Sequence, residues 1–173
     1  LYKRLVDLRK IVLSKASLID LKVELSELER EITIFHGEIV KKVLLDFNDN
    51  IDLVGFHGQT IFHDSNSKIT KQLGDGRLLS QLIKKTVVYD FRQKDLENNG
   101  QGAPLTPIFH NLLSNNIFNE FKDKISNILN IGGISNVTIT ARECELSKKS
   151  LEAFDIGPGN CLIDEWIRKN SDK

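Results

Sequence analysis

The stretch TVVYDFRQKD, residues 86–95, ends a β-branched run on an acid, an aromatic residue and a base. We predict a strand through Phe91, in which alternating side chains place Asp90 and Arg92 on one face near the carboxyl end. In open α/β sheets, ligands bind at that end. A carboxylate there can take a proton from a water or a hydroxyl, and a nearby cation would keep it ionised. The alternative is a surface ion pair between Asp90 and Arg92.

Two histidines and a glutamine lie in GFHGQTIFHD, residues 55–64. A zinc site would need a third and a fourth ligand, and Asp64 supplies only one. Hydrogen bonding to a polar ligand or within a turn suits His57, Gln59 and His63 better. We therefore predict no metal site in this stretch.

Glycines mark three further stretches where a backbone could approach an anion. In NNGQGAPLTP, Gly100 and Gly102 come just before a predicted helix, although a plain loop would look the same. In NIGGISN, residues 130–136, a pair of glycines forms the tip of a predicted hairpin. Such a hairpin can clamp phosphate through its amides, or it can be an ordinary turn.

The third glycine stretch is DIGPGN, residues 155–160. Asp155 ends a predicted strand, and Asn160 begins a predicted helix, whose amino terminus carries a partial positive charge. This end could face an anion. The alternative is a rigid turn from strand to helix with Asn160 as the cap.

The elements that must position these residues alternate between helix and strand. Apolar residues spaced by three and four from Leu18 to Ile39 predict a long helix, which could pack on its own domain or form a coiled-coil seam. Short strands follow at LVGF and TIF with HGQT as a turn between them, and Asp75 caps a short helix. A second block from about residue 121 has three strands and a helix. The fold class is α/β.

Composition excludes several classes of protein. Lys plus Arg number 24 and Asp plus Glu number 24 in the 173 residues, so no net field attracts nucleic acid. No apolar run approaches a membrane span and no signal peptide is evident, so we expect a cytoplasmic protein. The two cysteines fit neither a disulfide framework nor a zinc site.

Taken in order, GFHGQT, VVYDFRQKD, GQGAPLTPIFH, NIGGISN and FDIGPGN resemble the motifs of the anhydro-N-acetylmuramic acid kinases. That family belongs to the sugar-kinase and actin-like ATPase superfamily. The resemblance runs from about residue 18 to the end of the chain. Five successive motifs make it specific, whereas no single motif would.

The resemblance implies an actin-like, ribonuclease H-like architecture with ATP bound between two domains. An incomplete first domain would span residues 1–120, and the start of the second would span residues 121–173. The family enzyme opens the 1,6-anhydro ring of its amino sugar with water and phosphorylates the hydroxyl at carbon 6, using ATP and Mg²⁺, in peptidoglycan recycling.

The same resemblance assigns roles to the residues above. Asp90 is implied to be the general base that activates the attacking water. The sugar side of the site is implied to include the HGQT and GQGAP motifs and Arg92. The substrate-binding residues are therefore expected to be His57, Gln59, Arg92, Gly100 and Gly102. The two later motifs are implied to contact the nucleotide, through Asn130, Gly132, Gly133, Asn136, Gly157, Gly159 and Asn160.

Family members begin with a phosphate-binding strand-turn-strand that does not precede Leu1, and they continue beyond the DIGPGN motif. We therefore expect about half of a normal member, which would carry the kinase chemistry only if a complementing fragment supplied the rest. The resemblance also implies a homodimer, since family members commonly pair. Two alternatives to the kinase remain open. One is an inactive or partner-dependent remnant, and the other is a helical interaction module built on residues 18–43.

Overall fold

The computed structural model describes residues 1–47, 51–117, 126–140 and 151–171. The chain divides into two compact units, Leu1–Ala103 (unit 1) and Pro104–Lys173 (unit 2). Unit 1 contains α1 (Tyr2–Ile11), α2 (Lys15–Asp20), α3 (Lys22–Asp46), β1 (Leu53–Phe56), β2 (Gln59–Asp64), β3 (Ile69–Leu73), α4 (Gly76–Ile83), β4 (Thr86–Tyr89) and α5 (Phe91–Glu97). Unit 2 contains α6 (Pro107–Ile117), β5 (Ser126–Ile131), β6 (Ile134–Thr140), β7 (Leu151–Pro158) and α7 (Asn160–Asn170). The α/β class that the sequence predicts is confirmed, and the sheets of the described residues have two or three strands each.

Strands β1 and β4 pair in parallel, with Leu53 opposite Thr86 and Phe56 opposite Tyr89. The register has no shift over the four residue pairs, so the residues that follow the two strands lie side by side at the carboxyl edge of this sheet. Those residues are His57 and Asp90. Strands β2 and β3 form a separate antiparallel pair.

Helix α3 packs on its own unit, which is one of the two arrangements that its periodicity predicts. Leu28 is 0% exposed in a cluster with residues of α1, β2 and β3, and Leu44 joins a second cluster with β1 and α4. A Cβ on Gly37 would lie 3.1 Å from the Leu82 side chain, so this glycine lets α3 and α4 approach closely.

The predicted helix from Leu18 differs from the structure in two respects. It is interrupted at Leu21, where α2 ends and α3 begins. The buried face also differs from the predicted stripe, because Phe35 and Ile39 are 48% and 44% exposed whereas Leu44, further along the helix, is buried. Periodicity shows which residues share a face but not where the packing partner ends.

The strand predicted through Phe91 ends at Tyr89, so Asp90 and Arg92 do not alternate on a strand face. Asp90 adopts a left-handed backbone (φ 59°, ψ 49°), which an aspartate tolerates better than most residues, and α5 follows directly. The turn after β1 is also shorter than predicted, since Gln59 already belongs to β2. Strand β3 was not predicted.

Unit 2 is built on the antiparallel sheet β5-β6-β7. The strand, Gly-Gly turn, strand and the helix from Asn160 are confirmed, but β7 continues past Asp155 to Pro158. Helix α6 meets β6 through polar contacts, including His110 Nδ1 with Thr138 Oγ1 at 2.7 Å. The predicted domain boundary at residue 120 lies outside the described residues.

Candidate active site

A cavity of about 340 Å³ lies in unit 1 at the carboxyl ends of β1 and β4. This is the edge of a parallel sheet at which ligands usually bind. Polar and charged side chains dominate its wall, and Phe56 and Tyr89 add two aromatic rings. The full lining is Glu29, Phe56, His57, Thr70, Lys71, Gln72, Gly74, Asp75, Tyr89, Asp90 and Gln93.

Asp90 lines this cavity from the junction between β4 and α5. It occupies the N-cap position of α5, yet its side chain makes no capping hydrogen bond. The carboxylate is exposed and is therefore available to a bound molecule. A left-handed backbone at a non-glycine residue costs about 1–3 kcal/mol, and such strain is concentrated at functional sites.

Arg92 turns away from Asp90, and within the described chain the two form no ion pair. Its Nε donates to Nε2 of His57 at 2.8 Å, and its Nη1 donates to the carbonyl oxygen of Gly102 at 2.6 Å. Burial lowers the pKa of the Arg92 guanidinium, which nevertheless stays protonated. The alternative of a surface ion pair between Asp90 and Arg92 is therefore wrong.

His57 has both ring nitrogens engaged. Nδ1 lies 3.0 Å from the carbonyl oxygen of Gly58, which can only accept, so Nδ1 carries the proton. Nε2 then accepts from Arg92, which defines a neutral imidazole in a single tautomer. His57 thus presents its ring, rather than a free nitrogen, to the cavity.

The loop that carries Gly100 and Gly102 is fastened to α5 by Asp95. The Asp95 carboxylate accepts from the amide of Gly102 at 2.7 Å, and its backbone carbonyl accepts from the amide of Gly100 at 2.8 Å. Gly102 has φ +69°, which favours glycine. Both loop glycines therefore shape the segment next to Arg92, and neither lines the cavity.

Strand β3 contributes the part of the site that sequence reasoning missed. Lys71 pairs with Glu29 at 2.8 Å, and the Gln72 amide donates to the Thr70 hydroxyl at 2.7 Å. ITKQL has no strict alternation of apolar and polar residues, so its β-branched Ile69 and Thr70 are the local signal that could have indicated this strand. Gln59, which was predicted to bind the substrate, lies in β2 opposite Leu73 and does not line the cavity.

In unit 2, the hairpin glycines are hydrogen-bonded through their carbonyl oxygens. The carbonyl oxygens of Gly132 and Gly133 accept hydrogen bonds from the start of α7, whereas their own N–H groups donate to no backbone acceptor among the described residues. A Cβ on Gly133 would meet nothing within 4 Å. The amides at the hairpin tip therefore lack a backbone acceptor among the described residues, and the space beside Gly133 is open.

The start of α7 donates hydrogen bonds to the backbone carbonyl oxygens of this hairpin. The Asn160 amide donates to Gly132 O at 2.7 Å, and its side-chain nitrogen donates to Ile131 O at 3.1 Å. A Cβ on Gly159 would lie 2.3 Å from Gly132 O, so only glycine fits there. The first amides of α7 are thus used within the protein, and the helix end supports the hairpin instead of offering those amides to an anion.

The other predicted residues of unit 2 surround the hairpin. Asn130 and Asn136 pair across β5 and β6, and Gly157 lies opposite Ser135 in β7. The Asn136 side-chain oxygen is buried without a hydrogen-bond partner in the described residues. The predicted residues of this unit therefore lie around one turn.

No group of three metal-ligating side chains occurs among the residues that the structure describes. No helix in the described ranges is long and apolar enough to cross a membrane.

A polar cavity at the ends of parallel strands, with a free carboxylate in its wall, is the kind of place at which small molecules usually bind in α/β proteins. The chain belongs to the anhydro-N-acetylmuramic acid kinase family, whose model matches residues 6–173.

Curated relatives carry the same family name. The chain is 50% identical over 171 residues to the anhydro-N-acetylmuramic acid kinase of Pelagibacter ubique, an alignment that covers 99% of this chain and 44% of that protein. It is 44% identical over 154 residues to the corresponding protein of Agrobacterium fabrum, covering 87% of this chain and 39% of the relative. The chain therefore spans less than half the length of these relatives.

Proposed function

We propose that this chain carries the sugar side of an anhydro-N-acetylmuramic acid kinase. The observation that supports the proposal is the position of Asp90, a free carboxylate in the wall of a polar cavity. The cavity is of the size that small molecules occupy. The family name and the relatives supply the substrate, which is the 1,6-anhydro form of N-acetylmuramic acid.

In this proposal Asp90 acts as a general base on water. The Asp90 carboxylate removes a proton from the water as its oxygen bonds to carbon 1 of the sugar. The bond between carbon 1 and the bridging oxygen breaks, and that oxygen stays on carbon 6. It then accepts the γ-phosphoryl group that ATP supplies, giving N-acetylmuramic acid 6-phosphate and ADP.

The hairpin at Gly132 and Gly133 fits the phosphates of ATP, because its amides are free and nothing fills the space beside Gly133. Asn160 and Gly159 would hold that hairpin in shape. Mg²⁺ in ATP-dependent enzymes is coordinated largely by phosphate oxygens and water, so no dedicated cluster of side chains is needed. We propose an actin-like architecture, a cytoplasmic location and a role in peptidoglycan recycling together with this activity.

A partner-dependent remnant is the second candidate. The matched residues cover 44% of the Pelagibacter relative, so part of that relative lies outside the matched span. Phosphoryl transfer needs several groups around the phosphates and the metal, and the absence of some would lower the rate by orders of magnitude. In that case the cavity would bind the sugar without turnover, and a complementing fragment or a second copy would supply the rest.

The test compares the purified chain with Asp90→Asn and with the control Asp52→Asn, which changes an exposed aspartate before β1. Asparagine also tolerates the left-handed backbone, so Asp90→Asn should fold normally. Sugar binding is measured by calorimetry and product formation by mass spectrometry. Turnover lost only in Asp90→Asn supports the kinase, sugar binding without turnover supports the remnant, and no sugar binding by a folded chain contradicts both.

A further inference from the structure

Arg92 connects three segments of unit 1 around Asp90. It is the second residue of α5, and its two hydrogen bonds reach His57, which follows β1, and Gly102, in the loop after α5. Arg92 is half-buried and does not line the cavity, whereas Asp90 does. The guanidinium is therefore placed to hold His57, which lines the site, and not to contact the contents of the cavity.

Helix α5 depends on such contacts because it is only seven residues long. Helices this short are not stable on their own. Arg92 links the first turn of α5 to His57, the residue after β1, by a hydrogen bond. Asp95, in the last turn, accepts hydrogen bonds from the amides of Gly100 and Gly102. The residue before the helix, Asp90, holds a strained backbone that persists only when its surroundings fix it.

We propose that Arg92 is a positioning residue for Asp90. It acts through His57 and α5, and it does not bind the sugar. The inference rests on the proposed function and replaces the sequence-based assignment of Arg92 as a substrate ligand. The planar guanidinium suits this role because Nε and Nη1 point in two fixed directions at once, which a lysine ammonium on a flexible stem cannot reproduce.

The proposal separates two kinds of kinetic effect. A residue that binds the sugar directly changes KM when it is removed, whereas a residue that places the base changes kcat. We expect Arg92→Gln to lower kcat by about 100-fold with little change in KM, because a misplacement of about 1 Å can have that effect. The control is Arg77→Gln, which removes an exposed arginine from α4 and should leave kcat unchanged.

A double-variant cycle tests whether Arg92 acts through His57. His57→Phe removes the acceptor, so it should reproduce the loss seen in Arg92→Gln. The kcat of the double variant should be no lower than that of the slower single variant, because the effects of residues that act as one unit do not add. His57→Gln retains an acceptor oxygen near the position of Nε2 and should restore part of kcat.

Backbone hydrogen exchange supplies a readout that does not depend on turnover. Residues 99–103 should exchange faster in Arg92→Gln and His57→Phe than in the unchanged chain or in Arg77→Gln. Absence of turnover by the unchanged chain would count against the proposed function alone, and the exchange rates would still decide whether Arg92 holds this segment. A raised KM with normal kcat, additive losses or unchanged exchange would each overturn the proposal.

Discussion

At the scale of single residues, the backbone of Gly58 determines how β1 passes into β2. Gly58 has φ +70°, and a Cβ there would lie 2.5 Å from the carbonyl oxygen of Leu73. The turn therefore needs glycine both for its conformation and for the close approach of β3. The sequence indicated a turn, but it could not indicate this contact because β3 was not predicted.

Gly58→Ala should lower the free energy of unfolding by about 1–3 kcal/mol, because it combines backbone strain with a clash. Gly55→Ala is the matched control, since a Cβ there would approach nothing closer than 3.8 Å. Denaturant unfolding of both variants measures the difference. Equal stability of the two would contradict the described turn.

Asp64 provides a prediction about pH. Hydrogen bonds from the Ser67 hydroxyl and amide, and from the Asn66 amide, lower the pKa of the Asp64 carboxyl below its usual value. A pKa that is lower in the folded than in the unfolded chain stabilises the fold above the unfolded pKa, and this contribution is lost as pH falls through the folded pKa. Ser67→Ala should therefore raise the Asp64 pKa measured by NMR, whereas Ser65→Ala should not. An unchanged pKa in Ser67→Ala would contradict the assignment.

At the scale of elements, local chemistry predicted some boundaries and tertiary contacts set the others. Asp75 caps α4 through the amide of Leu78, as its position before the helix indicated. The end of β4 could not be predicted from its β-branched run, because Asp90 leaves the strand through a left-handed backbone. The contact between Arg92 and His57, 35 residues apart, follows from the parallel register of β1 and β4, which no local pattern specifies.

Helix α3 gives a prediction that separates a core element from an interaction module. Leu28→Ala should destabilise the chain by about 2–5 kcal/mol, because Leu28 is 0% exposed and its loss leaves a cavity. Leu45→Ala in the same helix, where the leucine is 81% exposed, should have a far smaller effect. Thermal unfolding measures both. A stable Leu28→Ala variant would favour an α3 that folds independently of its unit.

At the scale of the whole molecule, the two units differ in what they bury. The buried hydrophobic side chains of the described residues all lie between Leu5 and Leu96, in unit 1. Apart from Pro107, the buried residues described in unit 2 are polar, such as Thr138 and Ser114. Because hydrophobic burial is the main stabilising term, unit 2 should open at a lower free energy than unit 1.

Hydrogen exchange of the intact chain tests this difference. Amides of β6 should exchange through openings of lower free energy than those of α3 in the core of unit 1. Trp166, the single tryptophan of the chain, is 68% exposed on α7 and should be readily quenched by iodide in the native state. Equal protection of the two units, or a shielded Trp166, would contradict this account.

The central claim is that Asp90 activates a water that opens the anhydro ring. The most direct measurement is turnover in water enriched in heavy oxygen, followed by immediate mass analysis of the product. We predict one heavy oxygen at carbon 1 of N-acetylmuramic acid 6-phosphate and none in its phosphate group, with no product from Asp90→Asn. A product without heavy oxygen at carbon 1, or undiminished turnover by Asp90→Asn, would contradict the claim.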